Sequence, residues 1–344
     1  MSANRVLCLR VPHITVVAPK PRGERLAPGA MPDNPAGPVV GARAESLIKM
    51  WLRVLLMLLC ALPGGVRAEP AIGVVTIVEG ETFATRDSTR FALAEGVRIV
   101  ANDIVETAPQ AKLARIEFSD GIVLDIGPNT RVLMTPKFPG ERGSQRTAKL
   151  YVLQGWAKIT VPKSLAAASF ASESFDLSGI ARDAVLNVEP AASAVFAESG
   201  ELTLVERGKG KAGAAVKLKS GEFLTRAGEA KSVLVQRPTA DFIKRVPRAF
   251  LDTLPARAPL FATREVPAKR LAPITYADVQ AWVDAEAGLR PLFVLRWKAL
   301  AQAPEFRSGL VAGLRNHPEW DRTLFPEKYL PKPAASAAPA SPYR

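Results

Sequence analysis

Between residues 73 and 235 the sequence reads as one short β-strand after another, and this succession constrains the fold more than any other feature. In the run LARIEF, Ile116 and Phe118 share one face, while Arg115 and Glu117 share the other. Turn signals recur throughout the segment, and no helix start interrupts it. We therefore expect a mainly β fold, an antiparallel β sandwich or roll, followed by a small C-terminal helical domain.

Two of the turns have residues typical of tight chain reversals. Asp120-Gly121 favours a hairpin turn because both residues tolerate positive φ. Gly127-Pro128-Asn129 turns the chain again before the next apolar run.

The same region contains the best candidates for acid catalysis. Asp120 with Glu117 or Asp125 could form the paired carboxylates of a glycoside hydrolase. The competing interpretation is that Asp120 only serves its turn and that Glu117 and Asp125 lie on the strand face opposite the core. We favour the second interpretation, so we assign no catalytic residue.

Metal and cofactor sites find little support in the sequence. After residue 60 there is no cysteine, and only one histidine, His317, follows residue 13. One histidine without cysteine cannot build a zinc site. We predict no cofactor and no metal.

Residues 236–272, here called the connector, break the strand pattern. The connector has five prolines and eight basic residues against three acidic ones, which predicts extended chain with one helical turn near residues 242–244. From residue 273 the apolar spacing becomes helical. Thr275 can cap a first helix with Asp278, and prolines 291 and 304 begin two more.

Aromatic residues of the C-terminal segment separate into two groups. Trp282 and Trp297 fall on apolar helical stripes, which indicates core packing. Trp320 and Phe325 lie outside the predicted helices, so we expect these two to be the candidate partner-binding residues.

The N-terminal part has the features of an export signal. Residues 50–68 combine basic Arg53, a nine-residue apolar run and small residues before Glu69. This pattern predicts a signal peptide cut after Ala68 and a periplasmic mature protein. A lipoprotein acylated at Cys60 is the competing interpretation, and Met50 is the expected initiator, which would leave residues 1–49 untranslated.

An ordered series of short motifs resembles the FecR domain. The series runs through Leu93-x-x-Gly96, Asp103-x-Val105-x-Thr107, Phe118-Ser119-Asp120-Gly121, Gly127-Pro128-Asn129-Thr130 and then Leu153-Gln154-Gly155-Trp156. The resemblance covers residues 72–161 and continues more weakly to residue 235. It implies an exported β-rich module on the outer side of the bacterial cytoplasmic membrane, here without the helical anti-sigma segment of the namesake regulator.

The predicted organisation therefore has six parts. They are a leader (1–49), a signal peptide (50–68), a FecR-like β domain (69–235), the connector (236–272), a helical domain (273–330) and a disordered tail (331–344).

Charge along the chain argues against a nucleic-acid partner. The total is +13, yet residues 69–235 have 20 basic and 20 acidic residues, so the excess lies outside them, at +6 in residues 1–68, +5 in the connector and +2 in residues 273–344. The connector could contact an anionic envelope surface. We expect a non-enzymatic binding or scaffolding module whose partner is an envelope protein or cell-wall glycan. The alternatives are a component of a transmembrane signalling system and, below it, a glycan-active enzyme.

Overall fold

The computed structural model describes residues 69–138, 148–165, 168–208 and 211–330, with main chain alone at 211 and 212. The predicted leader, signal peptide and tail lie outside the described residues. Within the described ranges, no helix is long and apolar enough to cross a membrane.

Eighteen strands form the β part of the described chain. They are β1 (Ala71–Glu79), β2 (Thr82–Arg86), β3 (Thr89–Ala92), β4 (Arg98–Val100), β5 (Ile104–Thr107), β6 (Leu113–Phe118), β7 (Val123–Ile126), β8 (Arg131–Met134), β9 (Leu150–Thr160), β10 (Ala168–Ser172), β11 (Phe175–Ile180), β12 (Asp183–Val188), β13 (Ala192–Ser199), β14 (Leu202–Gly208), β15 (Lys211–Leu218), β16 (Phe223–Ala227), β17 (Val233–Val235) and β18 (Lys269–Pro273).

The strands pair into two sheets that share the long strand β9. Sheet A has the order β4-β1-β6-β7-β9-β12-β13-β16-β17. Sheet B has the order β18-β3-β2-β5-β8-β9-β10-β11-β14-β15. These strand pairs are antiparallel except β9 with β10.

Strand β9 passes from sheet B to sheet A at Gly155. The φ of Gly155 is +94°, and a Cβ atom there would lie 2.2 Å from Thr130 Oγ1. Because both the backbone angle and the space exclude a side chain, glycine is required at this bend.

The main core lies between the two sheets. Ile116, Phe118, Leu124 and Ile126 from sheet A are buried in it, together with Val152 from the sheet B half of β9. The alternation in the sequence placed Ile116 and Phe118 on one face, and the structure confirms this. The predicted antiparallel β sandwich or roll is confirmed as well.

The connector packs against the outer face of sheet A. It contains helix α1 (Ala240–Arg245), capped by the Thr239 side chain, and 3-10 turns at Arg248–Leu251 and Ala258–Phe261. Its aromatic side chains Phe242, Phe250 and Phe261 are buried. The predicted helical turn is confirmed, and its aromatic residues explain why the connector is held on the sheet.

The C-terminal helices pack against the outer face of sheet B. They are α2 (Tyr276–Val283), α3 (Arg290–Trp297), α4 (Pro304–Ala312) and α5 (Asp321–Leu324), joined by 3-10 turns at Leu300–Gln302 and Pro318–Trp320 and followed by one at Pro326–Tyr329. The predicted capping box between Thr275 and Asp278 is present. Trp282 and Trp297 are fully buried and share a second core with Leu133 and Tyr151 of the sheet, as their apolar stripes predicted.

The C-terminal chain therefore wraps the sandwich unevenly. On one side, β18 pairs with β3 and is itself the outermost strand of sheet B; its five residues are exposed and include Lys269, Arg270 and Pro273, and Val266 forms an isolated bridge with Val97 next to β4. On the other side, the outermost strands among the described residues are β15 in sheet B and β17 in sheet A. We call these the closed side and the open side.

Candidate functional site

A single row of cross-strand partners runs across the outer face of sheet A. From the closed side to the open side the row is Ile77, Arg115, Asp125, Lys158, Val185, Phe196, Phe223 and Val235. The middle of the row is charged, and the half next to the open side is apolar. This change in chemistry determines how the connector covers each half.

The charged part of the row is neutralised internally and by the connector main chain. Arg115 donates to both Asp125 carboxylate oxygens at 2.6 and 2.8 Å, and both side chains are about 95% buried. Burial lowers the pKa of Arg115, but the hydrogen bond and charge of Asp125 outweigh that effect, so its pKa is raised. Lys158 donates to the Phe250 carbonyl at 2.7 Å and pairs with Glu198.

Glu117 binds the connector from the neighbouring register position. Its two carboxylate oxygens accept hydrogen bonds from the backbone N–H groups of Arg257 and Ala258, at 2.8 and 2.9 Å. Arg115 also donates to the Leu254 carbonyl at 3.2 Å. The sequence placed Glu117 and Asp125 on the face opposite the core, which is confirmed, but both are buried there because the connector covers them. They hold the fold together and do not line a cleft.

The apolar half of the row is only partly covered. Phe242 of α1 packs against Trp156, Phe196 and Phe223, with ring centroids 5.4, 6.3 and 4.6 Å away. Beside it, between α1 and the 3-10 turn at Arg248–Leu251, remains an apolar groove of about 170 Å³. Its exposed rim is formed by Ile243 and Leu251, which are 53% and 55% accessible. A cavity of about 150 Å³ accepts a benzene molecule, so this groove has room for one large apolar side chain.

The edge strand at the open side is also apolar. Val233, Leu234 and Val235 form β17 and are 56%, 44% and 36% exposed. Lys231 and Arg237 are both exposed and flank the strand in the sequence, and no acidic residue lies between them. Natural proteins usually protect such edges with charges within the strand or with a covering element. β17 has neither among the described residues.

Asp120 and Gly121 form the predicted tight turn, and both stabilise its backbone conformation. Gly121 has a φ of +86°, and Asp120 accepts a hydrogen bond from the Ile122 N–H at 3.2 Å. The other Asp120 oxygen pairs with Lys149. Together with the burial of Glu117 and Asp125, these contacts account for all three carboxylates that the sequence offered as an acid pair.

The remaining motif residues meet at one corner of the sandwich. The turn Gly127-Pro128-Asn129 lies against the bend of β9 at Gly155 and Trp156. Gln154, next to the bend, donates to the Asn129 side-chain oxygen at 3.2 Å. Thr130, which is fully buried, accepts a hydrogen bond from the Trp156 N–H at 2.8 Å and donates to the Pro128 carbonyl at 3.0 Å. These residues fix the crossing of β9 between the sheets, and Trp156 supports the packing of α1.

The structure corrects the expectation for Trp320. Its ring is completely buried in the core between sheet B and the helices, because the 3-10 turn at Pro318–Trp320 directs the side chain inward. Trp320 therefore cannot contact a partner directly in this fold. Phe325 is half-buried, with the Lys328 ammonium 4.1 Å and the Arg307 guanidinium 5.6 Å from its ring centroid.

A polar cleft of about 310 Å³ lies where helix α3 meets the sheet. Its arginines already have partners: Arg86 binds both oxygens of buried Asp103 at 2.9 and 2.8 Å, and Arg296 donates to the Thr85 and Asn102 carbonyls at 2.9 and 2.7 Å. The Arg296 bonds hold helix α3 against the sheet, and the Arg86 bonds join β2 to the start of β5, so the polar groups of the cleft serve the packing of these elements.

A second buried carboxylate joins the sheet to helix α2. Glu106 accepts a hydrogen bond from Trp282 Nε1 at 3.1 Å and pairs with Arg131 at 3.3 Å. Burial raises the pKa of Glu106, although the Arg131 charge and the Trp282 hydrogen bond act in the opposite direction.

In the described residues there is no group of three or more acidic, histidine or cysteine side chains that could hold a metal.

Sequence reasoning missed the open-side residues, chiefly Ile243 and the three of β17. The signal was present: Val233-Leu234-Val235 is an uncharged apolar run between Lys231 and Arg237. The run alone did not show that the strand is at an edge, because that depends on the pairing of β16 with β13.

Comparison with known proteins gives a weak structural likeness. No protein family and no curated protein matches the sequence. Two crystal structures of "a putative anti-sigma factor" from Parabacteroides distasonis, at 2.50 and 1.65 Å resolution, are similar, with 12% and 13% identity and TM-scores of 0.31 and 0.30. The likeness covers 39% of this chain and 59% of the length of those proteins.

Proposed function

We propose that this protein is an exported, non-enzymatic binding module of the cell envelope that contacts its partner through the open side of the sandwich. The observation that carries the proposal is the difference between the outermost strands of the two sides. The outermost strand of the closed side, β18, contains Lys269, Arg270 and Pro273, residues that protect an edge, whereas β17 on the open side is uncharged and accessible.

The chemistry of the open side favours binding over catalysis. The side chains of β17 are apolar and Lys231 and Arg237 beside it are basic, while Asp125 and Glu117 on the outer face of sheet A are occupied by Arg115 and by connector N–H groups. An apolar surface with a charged border is the usual composition of a protein-binding patch. The resemblance of residues 72–161 to the FecR domain supports the envelope location.

Regulation is the second candidate function, and it rests on the same resemblance. In that case partner binding at the open side would report an envelope signal to a membrane receptor. The connector, with its eight basic residues, would contact the anionic envelope surface in either case.

The test is capture of envelope components by the tagged full chain, with and without muramidase digestion. Leu234→Lys changes the open edge, and Leu260→Lys is the matched control, since Leu260 is 68% exposed in the connector on the closed side. We expect Leu234→Lys to lose a protein partner that Leu260→Lys retains. Equal capture by both variants, or capture that disappears with muramidase, would contradict an open-side protein site.

A further inference from the structure

We propose that β17 accepts an extended polypeptide segment as an added antiparallel strand, and that this segment has apolar residues flanked by acidic ones. The proposal rests on the binding function above and names the partner's chemistry. An added strand pairs its main chain with the free edge of the sheet and presents alternate side chains to each face.

The first step is the choice of edge. β15 is the other edge at the open side, but its exposed residues include Lys217 with Ala214 and Ala215. A lysine within an edge strand is a common device that blocks further pairing. β17 has no charge within the strand, so it is the better template.

The second step is the face that the added strand would extend. Val235 pairs with Phe223, so it continues the apolar row on the outer face of sheet A. Leu234 pairs with Leu224, which is buried between the sheets. Apolar side chains of an added strand would therefore extend apolar surface on both faces.

The third step is charge, which distinguishes a foreign strand from a second copy of this chain. Lys231 and Arg237 lie two residues beyond the two ends of β17, so in a symmetric antiparallel pair centred on Leu234, Lys231 of one copy would lie near Arg237 of the other. Like charges facing each other across a strand pair destabilise it. A partner with acidic residues six positions apart would instead place a carboxylate near each cation.

The experiment uses the full chain and fluorescent seven-residue peptides with three central valines. One peptide has glutamate at both ends, one has lysine at both ends, and one has glutamate ends with a central proline. We expect the glutamate peptide to bind at least about tenfold more tightly than the lysine peptide at low salt, because two ion pairs replace two repulsions. The proline peptide should not bind, since it lacks a central N–H.

The decisive variant reverses the flanking charges, Lys231→Glu with Arg237→Glu. We expect it to prefer the lysine peptide by a similar factor, while Lys244→Glu with Arg248→Glu, in the connector, keeps the wild-type preference. Equal binding of both peptides, an unchanged preference in the reversed variant, or self-association of the wild type through β17 would overturn the proposal. If none of the peptides binds but Leu234→Lys still fails to capture an envelope protein that the wild type captures, the binding function stands and this inference is wrong.

Discussion

The two sides of the sandwich differ in the residues of their outermost strands. On the closed side, β18 pairs with β3, and Phe261 and Val266 come so close to Gly96 that a Cβ atom there would lie 2.6 Å from Val266. On the open side, an uncharged strand is left accessible. Since β18, the outermost strand of the closed side, contains two basic residues and a proline, the uncharged edge at β17 is the better place to look for a partner.

The two halves of the outer face of sheet A show the same contrast. The charged half is covered by the connector, whose carbonyls accept hydrogen bonds from Arg115 and Lys158 and whose Arg257 N–H donates to Glu117. The apolar half is held by Phe242 and leaves a groove beside it. The first half therefore contributes to stability, and the second adjoins the surface that we propose for binding.

The largest effect on stability is expected in the charged half of the outer face of sheet A. Asp125→Ala leaves the buried Arg115 guanidinium without its partner, which should lower the free energy of unfolding by about 3–5 kcal/mol. Urea denaturation followed by circular dichroism measures it. Asp120→Ala, at an accessible turn, should cost only about 1 kcal/mol and is the control. If Asp125→Ala lowers the free energy of unfolding by less than about 1 kcal/mol, the buried charged half does not stabilise the fold as we describe.

The next effect concerns the anchor of α1. Phe242→Ala should destabilise the protein by about 3 kcal/mol, because the ring fills the space between three aromatic side chains. The neighbouring Ile243→Ala removes a half-exposed side chain and should change stability by no more than about 0.5 kcal/mol. Similar losses in the two variants would show that the groove is not open beside α1.

A smaller, pH-dependent effect is expected at Glu106. Its folded pKa is raised above the ordinary value of 4.5, so the native state holds its proton more tightly than the unfolded chain does. Stability from this group is therefore present at low pH and is lost as pH rises through the raised pKa. Glu106→Gln should remove that part of the pH dependence. If the free energy of unfolding of the wild type and of Glu106→Gln changes in parallel from pH 4 to 7, the raised pKa of Glu106 is contradicted.

The smallest effect is expected on the open edge. Leu234→Lys should change the free energy of unfolding by about 0.5 kcal/mol or less, because the side chain is 44% exposed. Thermal unfolding of the wild type and the variant checks it. A loss above 2 kcal/mol would mean that β17 belongs to the stabilising part of the sheet.

How much of this was predictable depends on the distance in sequence between the interacting residues. The alternation of Ile116 and Phe118 with Arg115 and Glu117 predicted the two faces, since period-2 patterning is local. It could not show that the second face is buried, because the groups that cover it are Leu254 and Arg257, about 140 residues further on. Trp320 was misplaced for a related reason: a short 3-10 turn has no apolar period that reveals where its ring points.

Hydrogen exchange of the full chain, measured by mass spectrometry with and without the glutamate-flanked peptide, tests the central claim most directly. In the free protein, the Arg257 and Ala258 amides bound by Glu117 should exchange slowly and those of β17 quickly. The peptide should add protection at residues 233–235 and none at β15 or β18. Slow exchange of β17 in the free protein, or added protection elsewhere, would contradict the assignment of the open side as the binding surface.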